Sequence, residues 1–233
     1  MIRLDGARRF RAGLAVVALS TLALTGCHHA PGLSSEGQAL SIEQSEQLAQ
    51  ARFQLSTVDT FTASVSAGSS DATDHYAADL TVDTSKHQAW GTLHRGPAKL
   101  AVDQPVMLDA TRLATLTDGT WRVDASQGSE FSALPITLSL VADRPENAQL
   151  LRQSGARYLG SQDLDGTELG VYRLPADDGG TGQTRLWLND AGQLKRLDNG
   201  AGTLTIDLTG ATPEPRPAAF AEVLPPSDAQ DGK

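Results

Sequence analysis

The chain has 233 residues, of which 39% are hydrophobic and 20% are charged, and its formal net charge is −9 at pH 7. This length and apolar content are typical of one globular domain with a buried core. An acidic surface repels phosphate backbones, so the charge argues against nucleic-acid binding. The lone cysteine, Cys27, excludes an intramolecular disulfide.

The first 26 residues predict a secretory signal peptide. A basic segment with four arginines, residues 3–11, precedes an apolar run at residues 12–24. A membrane-spanning helix needs about 20 apolar residues, whereas the apolar region of a signal peptide needs only about 7 to 15. The run is therefore the right length for a signal peptide and too short for a membrane span.

The signal ends in the sequence LTGC at residues 24–27. This sequence resembles the lipobox of bacterial lipoproteins, which implies that residues 1–26 are removed and that the Cys27 sulfur receives a diacylglyceryl group. Several acyl chains, such as palmitate, anchor more strongly than one because each buried methylene contributes about 0.8 kcal/mol. An uncleaved anchor and an accidental cysteine are the alternatives. Without the four arginines and Asp5 of the signal, the net charge becomes −12.

Lipidation implies a location in the cell envelope, on the extracytoplasmic face of a membrane. His28 would be the second residue of the mature chain. It differs from the aspartate that is associated with retention in the inner membrane. In a host with two membranes, this sorting rule favours the outer membrane.

Polar segments without periodicity flank a predicted domain at residues 41–210. Residues 27–40 predict a flexible tether between membrane and domain. Residues 211–233 contain five prolines and predict a mostly loose C-terminal tail. Within that tail, we expect Phe220 and Val223 to dock on the domain.

The domain begins with one predicted helix. Ser41 and Gln44 resemble a capping box, and apolar residues then recur at helical spacing from Leu48 through Val58. Apolar and polar residues alternate afterwards, which is typical of half-buried strands. The predicted strands are at 61–67, 75–83, 87–94, 98–103, 106–109, 112–116, 120–124, 156–163, 168–174, 183–189 and 193–209. The last of these eleven is predicted to be two strands divided at Asn199-Gly200.

Turn sequences at Asp118, Asp165 and Asn199, each followed by glycine, predict hairpins between antiparallel strands. A single interruption at residues 131–155 predicts two helical pieces, of which the second opens at Arg144-Pro145. The first piece also fits a strand, because its apolar residues alternate. The predicted fold class is α+β and predominantly antiparallel, a curved open half-barrel of about eleven strands with a few helices on its concave face.

Such a sheet must bury its apolar face, and a few helices cover it incompletely. The sheet then either fills its inside with side chains or encloses a cavity for an apolar ligand. The predicted lining of this cavity consists of the inward apolar side chains Leu80, Val82, Leu100, Val102, Leu113, Trp121, Val123, Leu186, Leu188, Leu204 and Ile206. Trp90, Tyr172 and Trp187 either rim the cavity or, as is more usual for aromatic residues in strands, belong to the core.

This order of parts resembles the LolA and LolB lipoprotein carriers and, more closely, the LppX/LprG type of bacterial lipoprotein. The resemblance rests on the lipobox, tether, helix, strands and helical insert, and on the hairpin RLWLNDAGQLKR at residues 185–196. It implies a half-barrel that holds acyl chains in a hydrophobic cavity and carries lipids, glycolipids or lipidated proteins across the envelope. For the hairpin alone, a favourable β-turn is an equally good explanation.

Catalysis has no residue-level support in this sequence, and no cofactor or metal is predicted. His87 and His94 fall on opposite faces of one predicted strand, so they do not form a metal site together. Residues 163–168 resemble the start of a calcium loop but lack its later ligands. Residues 176–183 are glycine-rich but lack the Walker lysine, and no Gly-x-Ser-x-Gly motif occurs.

The sequence therefore favours a membrane-anchored lipoprotein that binds an acylated lipid or glycolipid. The alternative is a non-enzymatic structural or protein-interaction lipoprotein with a filled core and an envelope protein as its partner. A hydrolase with an unrecognised site is the third hypothesis.

Overall fold

The computed structural model describes residues 32–69, 75–96, 102–126, 131–175 and 183–226. The predicted signal peptide, the lipobox with Cys27, and Leu100 of the predicted lining lie outside these ranges. The elements are, in chain order, β1 (Gln38–Ala39), α1 (Ile42–Leu55), β2 (Thr60–Ala67), β3 (Tyr76–Asp83), β4 (Gln88–Arg95), β5 (Val102–Leu108), β6 (Arg112–Thr117), β7 (Thr120–Ala125), α2 (Ile136–Ser139), α3 (Ala148–Gln153), β8 (Arg157–Leu164), β9 (Thr167–Arg173), β10 (Arg185–Leu188), β11 (Leu194–Asp198), β12 (Leu204–Thr209) and α4 (Phe220–Val223).

All twelve described strands form one sheet in the order β1-β8-β9-β10-β11-β12-β2-β3-β4-β5-β6-β7. Every pairing is antiparallel. The sheet is open, with β1 and β7 at its two edges. The predicted fold class, an open and predominantly antiparallel α+β sheet, is confirmed.

Helix α1 begins as the sequence predicts and ends earlier. The Ser41 Oγ accepts a hydrogen bond from the Gln44 N–H at 3.1 Å, and the Ser41 N–H donates to the Gln44 Oε1 at 3.0 Å, which completes the capping box. The helix ends at Leu55, not at Val58. Hydroxyls of Ser56 and Thr57 bond back to carbonyls of the last turn, and these bonds end the helix.

The insert contains two short helices, α2 and α3. The alternating apolar residues of its first piece are helical, because packing against the sheet decides between the two periods. Helix α3 does not open at Arg144-Pro145. It opens after Asn147, whose Oδ1 accepts hydrogen bonds from the N–H groups of Gln149 and Leu150 at 2.9 and 3.1 Å.

One strand, β5, replaces the two strands predicted at 98–103 and 106–109, as far as the chain is described. Pro105 lies inside it. The partner strand β6 pairs only with Val106 to Leu108, so the proline lies where that side of β5 has no neighbour.

The face of the sheet that packs against α1, α2 and α3 is called the concave face here, and its opposite is the convex face. Inward side chains of β2, β3 and β4 alternate with polar residues and join one continuous apolar core with the helices. Two smaller apolar clusters lie on the convex face. Phe220 and Leu224 of the C-terminal segment complete the cluster around Trp90. Leu33 of the N-terminal segment packs against the cluster around Trp187.

The C-terminal segment, residues 211–226, packs on the convex face and is not loose. The Trp90 Nε1 donates to the Glu214 carbonyl at 3.0 Å, and the Glu214 N–H donates to the Thr81 Oγ1 at 2.9 Å. Phe220 is fully buried, and Val223 packs beside it. The expected docking of these two residues is confirmed. They pack there because they cover the apolar cluster around Trp90.

Part of the predicted tether also packs on the sheet. Strand β1 pairs with β8, and the Ser34 N–H donates to the Leu159 carbonyl at 2.8 Å. Arg173 donates to the carbonyls of Ser35 and Glu36 at 2.8 and 2.9 Å. The folded domain therefore begins before residue 41, because this segment satisfies the open edge of β8.

Candidate functional site

The candidate site is the concave face together with the helices that cover it. Most of the predicted lining residues that the structure describes lie there, with 3% exposure or less in each case: Leu80, Val82, Leu113, Leu186, Leu188 and Ile206. Leu204 is half-buried at the margin of the same core. The strands thus bring together side chains that are more than 100 residues apart in sequence.

Two predicted lining residues, Trp121 and Val123, lie on the convex face. In the register of β6 and β7, Val123 is opposite Ala114, which belongs to the convex cluster, while Asp124 is opposite the inward Leu113. The prediction for Trp121 and Val123 is therefore wrong. A shift of one position in a strand exchanges its two faces, and β7 is an edge strand with no buried face to reveal the correct parity.

Val102 is also not part of the buried site. It shares the inward parity of Val106 on β5, but it is 68% exposed. The alternation of the strand therefore continues to a residue whose side chain is exposed to solvent. The prediction that Val102 lines an enclosed cavity is wrong for this reason.

Side chains of the helices fill the concave face. Leu48 of α1, Leu138 of α2 and Leu151 of α3 pack in the same core as the strand residues. Two depressions lie at the margins of the site: one of about 1010 Å³ is lined by residues 142–147 with α3, and a smaller one of about 240 Å³ lies beside the end of α1. In this structure the side chains of the site contact one another.

The helix α1 and the insert, residues 131–155, are tied to each other by polar contacts, and together they are called the helical cover. Arg52 of α1 forms an ion pair with Glu146 at 3.1 Å and donates to the Ser139 carbonyl. The Glu146 N–H donates to the Ala49 carbonyl at 2.9 Å. These bonds make the cover one unit, although its helices are distant in sequence.

The cover contacts the sheet mainly through apolar side chains. Its buried hydroxyls bond within the cover, Ser45 to the Ile42 carbonyl and Thr137 to the Leu134 carbonyl. A hydrogen bond from the Ala133 N–H to the Tyr76 hydroxyl joins cover and sheet at 3.2 Å. Burial of apolar area is non-directional, so it allows the two layers to separate and repack in a way that hydrogen-bond ladders do not.

The three aromatic residues considered for a cavity rim belong to cores. Tyr172 is buried on the concave face, where its ring centroid lies 5.3 Å from that of Tyr158. Burial, together with Tyr158 and Glu43, raises the pKa of Tyr172 to about 12, so its hydroxyl is neutral at physiological pH. Trp90 and Trp187 are buried on the convex face, away from the site.

A buried polar centre on the convex face was not anticipated from the sequence. Asp198 is 4% exposed and accepts hydrogen bonds from the Arg185 Nε at 2.6 Å, the Trp187 Nε1 at 2.5 Å and the Gly200 N–H at 2.6 Å. One feature of the sequence could have predicted this centre. Arg185, Trp187 and Asp198 lie on paired strands and point to the same, convex face. These hydrogen bonds tie β10 to β11 and to the turn that follows β11.

His94 lies in a second polar group on the convex face. Its Nδ1 is 2.7 Å from the Asp103 Oδ1, and its Nε2 is 3.3 Å from the Asp79 Oδ2. Burial lowers the pKa of His94, but the hydrogen bonds and charges of the two aspartates outweigh this effect and raise it. His87 precedes β4 and faces Asp143 instead, so the two histidines are separate.

Among the described residues, no helix has the length and apolar character that crossing a membrane requires. No protein-family model matches the chain, and no curated protein matches it.

Solved structures similar to the chain include two mycobacterial proteins. LprF from Mycobacterium bovis is 15% identical, with a TM-score of 0.46, and the alignment covers 77% of this chain and 99% of LprF. The lipoprotein LppX from Mycobacterium tuberculosis is 17% identical, with a TM-score of 0.42, over 68% of this chain and 88% of LppX.

A LolA superfamily protein from Nitrosomonas europaea is also similar, at 13% identity and a TM-score of 0.32, over 78% of this chain and 97% of that protein. The structural neighbours thus include both types of protein that the sequence resembles. No functional residue is carried over from these chains.

Proposed function

We propose that the protein is an envelope lipoprotein that binds the acyl chains of a lipid or glycolipid between the concave face and the helical cover, for carriage or transfer. The observation that carries the proposal is the contact between cover and sheet. Apolar side chains of the cover pack against apolar side chains of many strands. The buried hydroxyls of Ser45 and Thr137 form their hydrogen bonds within the cover. An acyl chain can replace such contacts without leaving a buried polar group unpaired.

The energetics favour exchange of one apolar partner for another. Lifting the cover exposes apolar area at a cost of about 25 cal/mol per Å². An acyl chain that enters the gap offsets this cost, because each of its methylenes contributes about 0.8 kcal/mol on leaving water. The filled core is then the ligand-free state, and the ligand takes the place of contacts between Leu48, Leu138 and the strands.

The membrane anchor belongs to the same proposal. Acylation of Cys27 would hold the domain on the extracytoplasmic face of a membrane, close to its lipid donor, at a high effective concentration. The domain needs no basic patch for this purpose, and its net negative charge is consistent with an acyl anchor.

A second function is favoured by the tight packing of the core. Leu186, Leu188 and Ile206 are almost completely buried by the chain's own side chains. A core that stays filled would make the domain a structural or protein-interaction module of the cell surface, with an envelope protein as its partner.

Native mass spectrometry separates the two functions. The full processed protein is purified from membranes, incubated with phospholipid and glycolipid, and weighed together with the variants Leu188→Phe and Val102→Phe. We expect a saturable lipid adduct that Leu188→Phe abolishes by occupying the core. Val102→Phe, on the same face but exposed, should keep the adduct. A bare mass for the unaltered protein would favour the interaction module.

A further inference from the structure

The sheet splits between β11 and β12 at one end. The ladder between these strands ends at the pair Arg196 and Asp207. Beyond it, β12 continues along β2 as far as Thr209, while β11 continues along β10 to Leu194. The residues next in line, Lys195 and Leu208, therefore face a gap in the ladder.

A groove adjoins this gap on each face of the sheet. The concave groove has a volume of about 240 Å³ and the convex groove about 530 Å³. Lys195, Leu208 and Thr209 line both grooves. These three residues therefore separate the groove on the convex surface from the groove at the margin of the concave core.

The concave groove lies beside the end of the helical cover, and both apolar side chains and polar ones such as Gln54 and Gln193 line it. Leu55 and Phe61 line it at the end of α1, and Val58, which is 45% exposed, lies at its mouth. Leu194 and Leu208 form the opposite wall and also contact the main core. An apolar chain in this groove would contact side chains that also belong to the main core.

Lys195 is the only charged residue that lines the concave groove in the described part of the chain. It forms no side-chain hydrogen bond or ion pair with another described residue. On the convex side it is near Asp165 and Asp207, but Asp207 is held by Arg196 through two bonds of 2.5 and 2.9 Å. In a protein with net negative charge, a cation beside the apolar side chains of Leu194 and Leu208 is complementary to an anionic amphiphile.

The N-terminal segment places the same end of the sheet near the predicted anchor. Leu33 packs in the convex cluster with Leu164, and Leu164 lines the convex groove. Cys27 precedes Leu33 by six residues, and an extended chain spans at most about 3.6 Å per residue, so the anchor lies within roughly 20 Å of Leu33.

We propose that the split between β11 and β12 is the entrance through which an acyl chain of an anionic phospholipid passes from the anchoring membrane to the concave core, with Lys195 bound to its phosphate. This inference rests on the proposed function. The zwitterionic phospholipids of the same membrane carry an ammonium group that competes for the phosphate, so Lys195 discriminates by headgroup charge.

The test measures uptake of dioleoylphosphatidylglycerol and dioleoylphosphatidylcholine from vesicles by the full processed protein, read as noncovalent adducts in native mass spectra. The variants are Lys195→Glu and Lys195→Arg. Arg122→Glu is the matched control, because it makes the same charge change at an exposed position on β7. We expect the unaltered protein to prefer phosphatidylglycerol and Lys195→Glu to lose about tenfold in uptake of it, the size of one charge-assisted contact.

Lys195→Arg and Arg122→Glu should both retain the preference. Unchanged uptake and headgroup preference in Lys195→Glu, with lipid still bound, would overturn the entrance and leave the proposed function in place. If the unaltered protein takes up neither lipid, both the entrance and the lipid-binding function fail.

Discussion

The two faces of the sheet bury their apolar residues in different ways. On the convex face, specific hydrogen bonds attach the covering segments and hairpins, such as Trp90 to the Glu214 carbonyl and Trp187 to Asp198. On the concave face, the cover is bonded to itself and contacts the sheet mainly through apolar side chains, with one hydrogen bond from Ala133 to the Tyr76 hydroxyl. Directional bonds fix one arrangement, whereas apolar contacts tolerate another partner, and this difference supports the proposal that a ligand binds at the concave face.

The largest expected effect is on the convex face, at Phe220. This residue is fully buried, and its ring packs edge-on against Trp90 at a centroid distance of 6.1 Å. Phe220→Ala should lower the free energy of unfolding by about 4 kcal/mol through the cavity that it creates. Urea unfolding measures this loss. Val223→Ala, at a half-buried site of the same segment, should cost much less, and equal losses would show that the segment is not fixed by Phe220.

Removal of the Asp198 carboxylate should have the next largest effect. Asp198→Ala leaves the Trp187 indole N–H buried without an acceptor and the Arg185 guanidinium without its ion pair. We expect a loss of about 3 kcal/mol in the free energy of unfolding.

Asp207→Ala is the comparison for Asp198→Ala, because it also removes a carboxylate that pairs with an arginine on this face but is more exposed. It should cost about 1 kcal/mol or less. If both substitutions lower the free energy of unfolding by the same amount, burial of Asp198 does not increase its contribution to stability.

The next prediction concerns the concave face, where a substitution at Arg52 weakens the contacts within the helical cover. Arg52→Ala removes the ion pair to Glu146 and the bond to the Ser139 carbonyl, so it should lower the free energy of unfolding by about 1 kcal/mol. Because the cover then separates more readily, the rate of lipid uptake should rise. Stopped-flow uptake of a fluorescent fatty acid measures this rate, and slower uptake would contradict the role of the cover.

The smallest effect concerns pH. The pKa of His94 is raised in the folded state, so its contribution to stability is fully present below the unfolded pKa and is lost as pH rises through the folded pKa. The group is partly exposed, so the contribution is under about 1 kcal/mol. His94→Gln should remove this part of the pH dependence of urea unfolding near neutrality. His87→Gln should leave it unchanged, and a persistent dependence in His94→Gln would assign it to another group.

Much of the fold could be predicted from local sequence. The capping box at Ser41 and the turns at Asp118 and Asp165 specify their own geometry, because each needs only neighbouring residues or a residue that tolerates positive φ. Alternation in β2 and β3 likewise identified Leu80 and Val82 as inward, since both flanking strands bury one face.

The features that could not be predicted depend on tertiary contacts between elements that are distant in the sequence. Trp121 and Val123 alternate correctly, but only the register with β6 shows which face they take. Val102 has inward parity, but its side chain is exposed to solvent. Residues 33–39 and 211–226 read as linkers, because polar and proline-rich segments lack periodicity even where they cover a sheet.

Residue spacing and the backbone preferences of single residues were enough to predict a predominantly antiparallel sheet, its turns and its leading helix, whereas the strand order of the folded chain shows that the sheet is open. Three further features are visible only in the folded chain. The helical cover fills the concave face, the two terminal segments cover apolar clusters on the convex face, and the ladder between β11 and β12 ends beside Lys195. Each arises from contacts between residues far apart in the chain, and such contacts leave no local pattern in the sequence.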